Sequence, residues 1–187
     1  MRKKLLCIFL CLPLGLNAGC GSNTTQQTTA VETSSTEVET QESVAPTKVV
    51  NFTFDIPDGF VKDETSENTW YADDSSGSSI NYTVSAYYDE INNYTEDTYK
   101  AELEEQFSAN DYDFDLNIEQ FEKTEFDGYP GYKIKLSYDY GYLHITQVNL
   151  VIITPDLIGS VILNDINNSG WLEKFEATES SLKAVIE

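Results

Sequence analysis

One stretch constrains the fold more than any other. In YKIKLSYDYGYLHITQVNLVIIT, residues 132–154, Tyr132, Ile134, Leu136, Tyr138 and Tyr140 alternate with Lys133, Lys135, Ser137 and Asp139. A period of two brings side chains of an extended chain back to the same face, so this is a strand with one buried side. The chain is expected to reverse around residues 139–141 and return as a partner strand. From Val148 to Ile153 that partner is apolar nearly throughout, which suits a central strand covered on both faces. Two strands joined this tightly point to an antiparallel sheet.

The rest of the chain supplies more strands and two helices. Val50, Phe52, Phe54 and Ile56 alternate with polar residues, and Pro57-Asp58-Gly59 has the chemistry of a turn. Residues 69–72 read as a short strand and DDSSGSS as the loop after it. Ile80, Tyr82, Val84 and Ala86 alternate again up to Tyr87-Tyr88, and LIGSVIL, residues 157–163, adds another strand. Thr95 is placed to cap a helix, with Glu96 and Asp97 in its first turn, where the helix dipole favours negative charge. Tyr94 and Tyr99 fit a hydrophobic staple across that cap. Tyr99, Leu103 and Phe107 form its apolar stripe. Trp171, Phe175, Thr178, Leu182 and Val185 step by four, three, four and three, which predicts a closing helix with Ser169 as a possible cap. Strands joined by hairpins, with helices set apart from them, indicate an α+β fold: a mostly antiparallel β-sheet flanked by helices.

Before this region the chain has a different character. Arg2, Lys3 and Lys4 precede an apolar run at residues 5–16 that is shorter than the ~20 residues a spanning helix needs. This is the pattern of a secretory signal. Ala18-Gly19-Cys20 then resembles the lipobox of bacterial lipoproteins, with Asn17 where the pattern usually has leucine. The expectation is a lipoprotein signal over residues 1–19 and a lipid on Cys20; the alternative is an ordinary signal cut near Ala18. Cys7 and Cys11, the other two of the three cysteines, fall in the signal. No thiol is then left for a disulfide, a zinc site or a nucleophile. Residues 20–47 are rich in Thr, Ser, Gln and Glu and lack aromatics. Such a segment cannot bury enough apolar area to offset its ordering entropy, and it is expected to be a disordered stalk reaching on the order of 30 Å. Residues 48–187 form the globular domain.

Charge removes some partner classes. Beyond the signal, eight lysines face 32 carboxylates, a mature charge of −24. Phosphate backbones repel such a body, so no nucleic-acid partner is expected. Without arginine, bidentate capture of phosphate or carboxylate is also disfavoured.

FDIPDGF, WYADDSSGSSINYTVSAY, DGYPGYKIKLSYDYGYLHITQVNLVI and SGWLEKFEATESSLKAV together resemble the PsbP-like domains. This group includes DcrB-like bacterial lipoproteins, the Ran-binding Mog protein and the extrinsic PsbP subunit of photosystem II. The resemblance spans most of residues 49–187 and implies an α/β/α sandwich. It implies no shared catalytic set, and the better-known members act by binding other proteins.

Several segments invite a sharper functional reading. DYDFDLNIEQFE, residues 111–122, has acids at EF-hand spacing, but Leu116 stands where the calcium loop needs glycine. The competing reading puts Tyr112, Phe114, Leu116 and Ile118 on one buried strand face. Asp73 and Asp74 could grip a cation, but such a tract is more often simply a solvated hairpin tip, and that reading is preferred. His144, the one histidine, has no companion motif for a triad or a catalytic zinc. No metal, cofactor or catalytic residue is assigned, and the chain is read as a non-enzyme. Tyr87, Tyr88, Tyr140 and Tyr142 lie near strand ends, where consecutive rings cannot all point inward. They are the candidate ligand- or partner-binding residues, and partial burial beneath a helix or loop is the alternative.

The function expected is a lipid-anchored, extracytoplasmic, non-catalytic interaction module docking another envelope protein. Its partners would be the membrane, through Cys20, and that protein. The alternative is a small-ligand or cell-wall-glycan binder using the tyrosines; a hydrolase of unassigned type is a third class.

Overall fold

The computed structural model describes residues 48–108 and 115–187. Cys20 and the expected signal and stalk lie outside the described residues. Strands β1 (Val49–Thr53), β2 (Phe60–Lys62), β3 (Thr69–Ala72) and β4 (Ser79–Ala86) come first. A 3₁₀ turn, Asp89–Asn93, leads into helix α1 (Glu96–Ser108). Then follow β5 (Asn117–Phe126), β6 (Tyr129–Tyr140), β7 (Leu143–Ile153) and β8 (Leu157–Ile166). A short 3₁₀ turn, helix α2 (Phe175–Ser181) and β9 (Lys183–Ile186) complete the order. Seven strands form one sheet in the order β2-β3-β4-β8-β7-β6-β5, every pairing antiparallel, while β1 and β9 pair separately as a two-stranded ribbon.

The central hairpin forms as its alternation predicts. Tyr132, Ile134, Leu136 and Tyr138 are buried on one face of β6, and β7 is buried at every position from Ile145 to Ile153. The turn closes with Tyr140 opposite Leu143, Gly141 taking a φ of +63°. The DGYPGY segment forms a second hairpin, joining β5 to β6. Asp127 (φ +53°) and Gly128 (φ +79°) make its two-residue turn, with Phe126 opposite Tyr129. Positive φ at both central positions matches the right-handed twist of the strands, which is why Asp-Gly suits such turns.

Cross-strand partners share a face, so the register separates two layers. One face carries Tyr132, Ile134 and Tyr138 and is covered by α1. There Tyr99 meets Phe121 at 6.1 Å and Phe107 meets Tyr138 at 5.5 Å between ring centroids. The other face carries Ile80, Leu150, Ile152, Val161 and Leu163. Phe52 of the ribbon, Trp171, Phe175 and Leu182 pack onto it. At its start, α1 is capped as read: Thr98 N–H donates to Thr95 Oγ1 at 3.2 Å and Thr95 N–H to Thr98 Oγ1 at 2.8 Å. Tyr94 and Tyr99 meet across the cap at 6.4 Å.

Three expectations need correction. The closing helix does not reach Val185: it stops at Ser181, Leu182 turns extended (φ −65°, ψ 118°), and residues 183–186 become β9. The hydroxyls of Ser180 and Ser181 donate back to the Ala177 carbonyl, a local bond that competes with the helix. Pairing with β1 then claims the tail. Ser169 caps nothing; both its N–H and its Oγ donate to Asp165 Oδ1. The turn read at Pro57-Asp58-Gly59 is present, and β2 follows it as a short strand with no expectation attached. In β4, Val84 is 40% exposed, because the covering layer does not extend over that end of the strand.

Candidate functional site

The four tyrosines singled out by sequence form two groups. Tyr87 and Tyr88 follow β4, where Tyr87 N–H donates to the Asp156 carbonyl at 3.0 Å and its hydroxyl accepts from Asn92 Nδ2 at 2.7 Å. Both rings are half-buried. Burial pushes the Tyr88 phenol well above its ordinary pKa, with Glu102 and Glu90 adding to the shift. Neighbouring Tyr94 shifts the same way, first through burial and then through its hydrogen bond to the Glu102 carboxylate. Tyr140 and Tyr142 flank Gly141 at the tip of the β6–β7 hairpin. Tyr140 is half-buried and Tyr142 is 91% exposed.

These groups sit at opposite ends of the sheet. Ala86 pairs with Leu157 beside the end of β7, whereas Tyr140 and Leu143 close the hairpin at its start. The 11 residues of β7 hold the two groups roughly 30 Å apart. They are not one site.

The other sequence candidates are engaged in structural contacts. His144 Nδ1 lies 2.7 Å from Asp139 Oδ1, directly across the β6–β7 ladder. Asp74 Oδ1 accepts the Ser76 N–H at 2.9 Å and Oδ2 the Trp171 indole N–H at 2.9 Å. Hydrogen bonds from Ser76, with a smaller part from Trp171, hold its carboxyl below the usual carboxylate range. In the EF-hand-like stretch, residues 117–122 belong to β5, where Glu122 faces Lys133 on β6. Leu116 is buried and Ile118 half-buried, while residues 111–114, Tyr112 and Phe114 among them, lie outside the described residues. Among the described residues no three His, Cys, Asp or Glu side chains gather as a metal set.

Two features escaped the sequence reading. The first is a row of buried polar side chains beneath the α1 face. Gln147 Nε2 donates to Asn149 Oδ1 at 2.8 Å, and Asn149 Nδ2 donates to the Tyr99 hydroxyl. Asn164 Nδ2 donates to Ser79 Oγ at 3.1 Å, and Thr69 Oγ1 to Asn81 Oδ1 at 3.2 Å. Among the described residues Ser160 Oγ alone is buried without a partner. The signal was present as polar residues at alternate positions of TQVN, but an apolar run around them hid it.

The second is an open groove of about 670 Å³ between α2 and the β5–β6 hairpin. Phe126 and Leu182 line it with Thr124 and Ala177, and the Lys133 ammonium reaches across to Glu179 Oε2 at 2.6 Å. Glu125, Asp127 and Glu176 line it too, and β5 is the last strand of the sheet. No sequence pattern announces this groove, because it depends on α2 ending at Ser181.

Comparison with known proteins gives a fold and nothing finer. No protein-family model matches the chain. No curated protein is significantly similar to it. The solution structure of cyanobacterial PsbP (CyanoP) from Synechocystis sp. PCC 6803 matches with a TM-score of 0.51 and 12% identity, over 80% of this chain and 98% of that one. A protein from Bacteroides thetaiotaomicron matches over 72% of this chain and 45% of its own, at 12% identity and a TM-score of 0.46, too slight a likeness to bear on the fold. The antiparallel sheet, with α1 on one face and α2 with the ribbon on the other, is a PsbP-like α+β fold.

Proposed function

We propose that this chain is a lipid-anchored, extracytoplasmic interaction module that docks another envelope protein and catalyses no reaction. Cys20 carries the lipid, residues 20–47 act as spacer, and residues 48–187 do the docking. Within the PsbP-like group, Ala18-Gly19-Cys20 favours the DcrB-like lipoproteins. One observation carries the reading: in this PsbP-like sandwich, the polar groups best suited to chemistry are tied into the fold. Asn149, Gln147 and Asn164 bond inside the sheet layer, His144 faces Asp139, and Asp74 holds Ser76 and Trp171. What the domain offers a partner is surface, namely the groove, the edge of β5 and the hairpin tip.

Photo-cross-linking in intact cells tests this, with reactive residues placed in turn at the groove, at the β5 edge and at Tyr142. A discrete cross-linked protein is expected from at least one position. Absence of a specific product from all three would sink the reading. Replacing Cys20 by alanine should release the protein from the membrane fraction; unchanged fractionation would refute the anchor.

A second reading, glycan or small-ligand binding, draws on the exposure of Tyr142, whose ring is free to stack on a sugar. Cell-wall glycan fragments should then alter intrinsic tyrosine fluorescence in the wild type and not in Tyr142→Ala. A flat response across a fragment panel would dismiss it.

A further inference from the structure

We propose that the outer edge of β5 and the groove beside α2 receive an extended, lysine- or arginine-bearing segment of another protein, added to the sheet as an eighth strand. The proposal rests on the interaction-module reading and gives it a place and a partner chemistry.

The edge is the starting point. β5 has ten residues and, among the described residues, pairs with β6 alone, so no described strand follows it in the sheet. An open edge of this length is a template for strand addition, and charged side chains along it restrict what can pair. Three of those charges are already engaged, Glu122 by a hydrogen bond from Gln120 Nε2 at 2.7 Å. Glu119 binds Lys135 at 2.7 Å, and Lys123 sits over the Tyr132 ring at 5.8 Å. Glu125 has no ion-pair partner among the described residues, nor has Glu176 on the facing side of the groove.

The groove then selects the partner. Its lining includes the acids Asp127, Glu176 and Glu179 against the one lysine, Lys133, which Glu179 occupies. Glu125 lies along the β5 edge, with its side chain on the α1 side of the register. Asp127 accepts the Ala184 N–H at 3.1 Å and so stays in place at the end of the hairpin. Buried Phe126 and Leu182 contribute apolar lining. That combination suits long basic side chains, which lay their methylenes on apolar surface and hold their charge at a polar rim. Main-chain pairing would supply affinity. Basic residues of the added strand that face the groove would reach Glu176, and those at the intervening positions would reach Glu125 on the other face of β5. Together they would supply specificity. A second copy of the chain fits poorly, since like charge repels it.

The test uses the full-length chain in lipid nanodiscs. The probe is a fluorescent ten-residue peptide built on the repeat Lys-Lys-Thr-Thr, which puts lysines on both faces of an added strand, with a Glu-Thr peptide of the same pattern as control. Expected are an anisotropy rise with the Lys-Thr peptide alone, weakened by added salt, and slowed amide exchange over residues 117–126. Glu125→Gln with Glu176→Gln should weaken binding roughly fivefold or more. Glu64→Gln with Glu67→Gln, a pair of exposed acids in the β2–β3 loop, should leave it unchanged. Absence of binding, equal weakening by both pairs, or protection confined to another segment would overturn the proposal. The cross-linking above separates the two levels of failure. If no surface yields a partner, the interaction-module reading falls. If a partner appears but cross-links through Tyr142 and ignores Glu125→Gln with Glu176→Gln, this inference alone falls.

Discussion

A methyl group on Gly159 would sit 2.6 Å from Phe52 Cδ2, closer than real side-chain carbons approach one another. Gly159 is held between Val84 and Ile152 in the sheet and cannot recede, so the buried Phe52 ring must move instead. Gly159→Ala is therefore expected to cost about 1–3 kcal/mol, read as a lower midpoint in urea unfolding. Adding Phe52→Leu should recover part of the loss, and an unchanged midpoint in the single variant would contradict the packing. This requirement could not be read from LIGSVIL, because the ring that imposes it lies more than a hundred positions earlier. The tyrosines show the same limit. Strand ends near Tyr87, Tyr88, Tyr140 and Tyr142 were legible, because alternation and the YGY turn are local. How far each ring is exposed was not, because that depends on the 3₁₀ turn after β4 and on neighbours distant in the chain.

Helix α1 and the ribbon mark the two extremes of what local sequence can reveal. The α1 start was legible to the residue, since cap, staple and stripe all lie within a few positions. Thr95→Ala should remove the reciprocal Thr95–Thr98 bonds and cost ~1 kcal/mol; circular dichroism melting that finds no loss would show the cap to be idle. At the other end the helical period misled. Trp171, Phe175, Thr178 and Leu182 are buried as a helical stripe requires, and Val185 alone tells helix from strand. Its partner on β1 is Asn51, a pairing no local window contains. Deleting residues 183–187 should leave β1 unpaired. Amides of Val49–Thr53 are expected to exchange much faster while those of β7 stay protected, and equal protection of β1 would refute the pairing. The groove shares this non-local origin, because one wall is α2 and the other is a hairpin some fifty residues away.

For the molecule as a whole, the tyrosines set an upper pH limit to stability. Burial pushes the Tyr82 phenol up to about 12 and raises Tyr88, Tyr94, Tyr99 and Tyr138 likewise. A phenol whose folded pKa lies above the unfolded value of about 10 stabilises the fold fully below that value. The contribution is lost as pH rises from about 10 through 12. Absorbance of tyrosinate against pH should show a steep step coincident with loss of near-ultraviolet dichroism; ordinary independent titration near 10 would refute it. On the acid side the sign reverses. Thr65 hydrogen bonds lower Asp63, Ser76 lowers Asp74 and Lys135 lowers Glu119, so their contribution is lost as pH falls below the usual carboxylate range. The ribbon also carries a consequence in time. β1 is the first strand of the domain to be synthesised and β9 the last, yet they are each other's hydrogen-bonding partners, with Lys48 and Glu187 closing the ladder in both directions. While the chain is growing, β1 has no partner until β9 emerges. The ribbon can close only once β9 has been made, so the two ends of the domain are the last parts of its fold to meet.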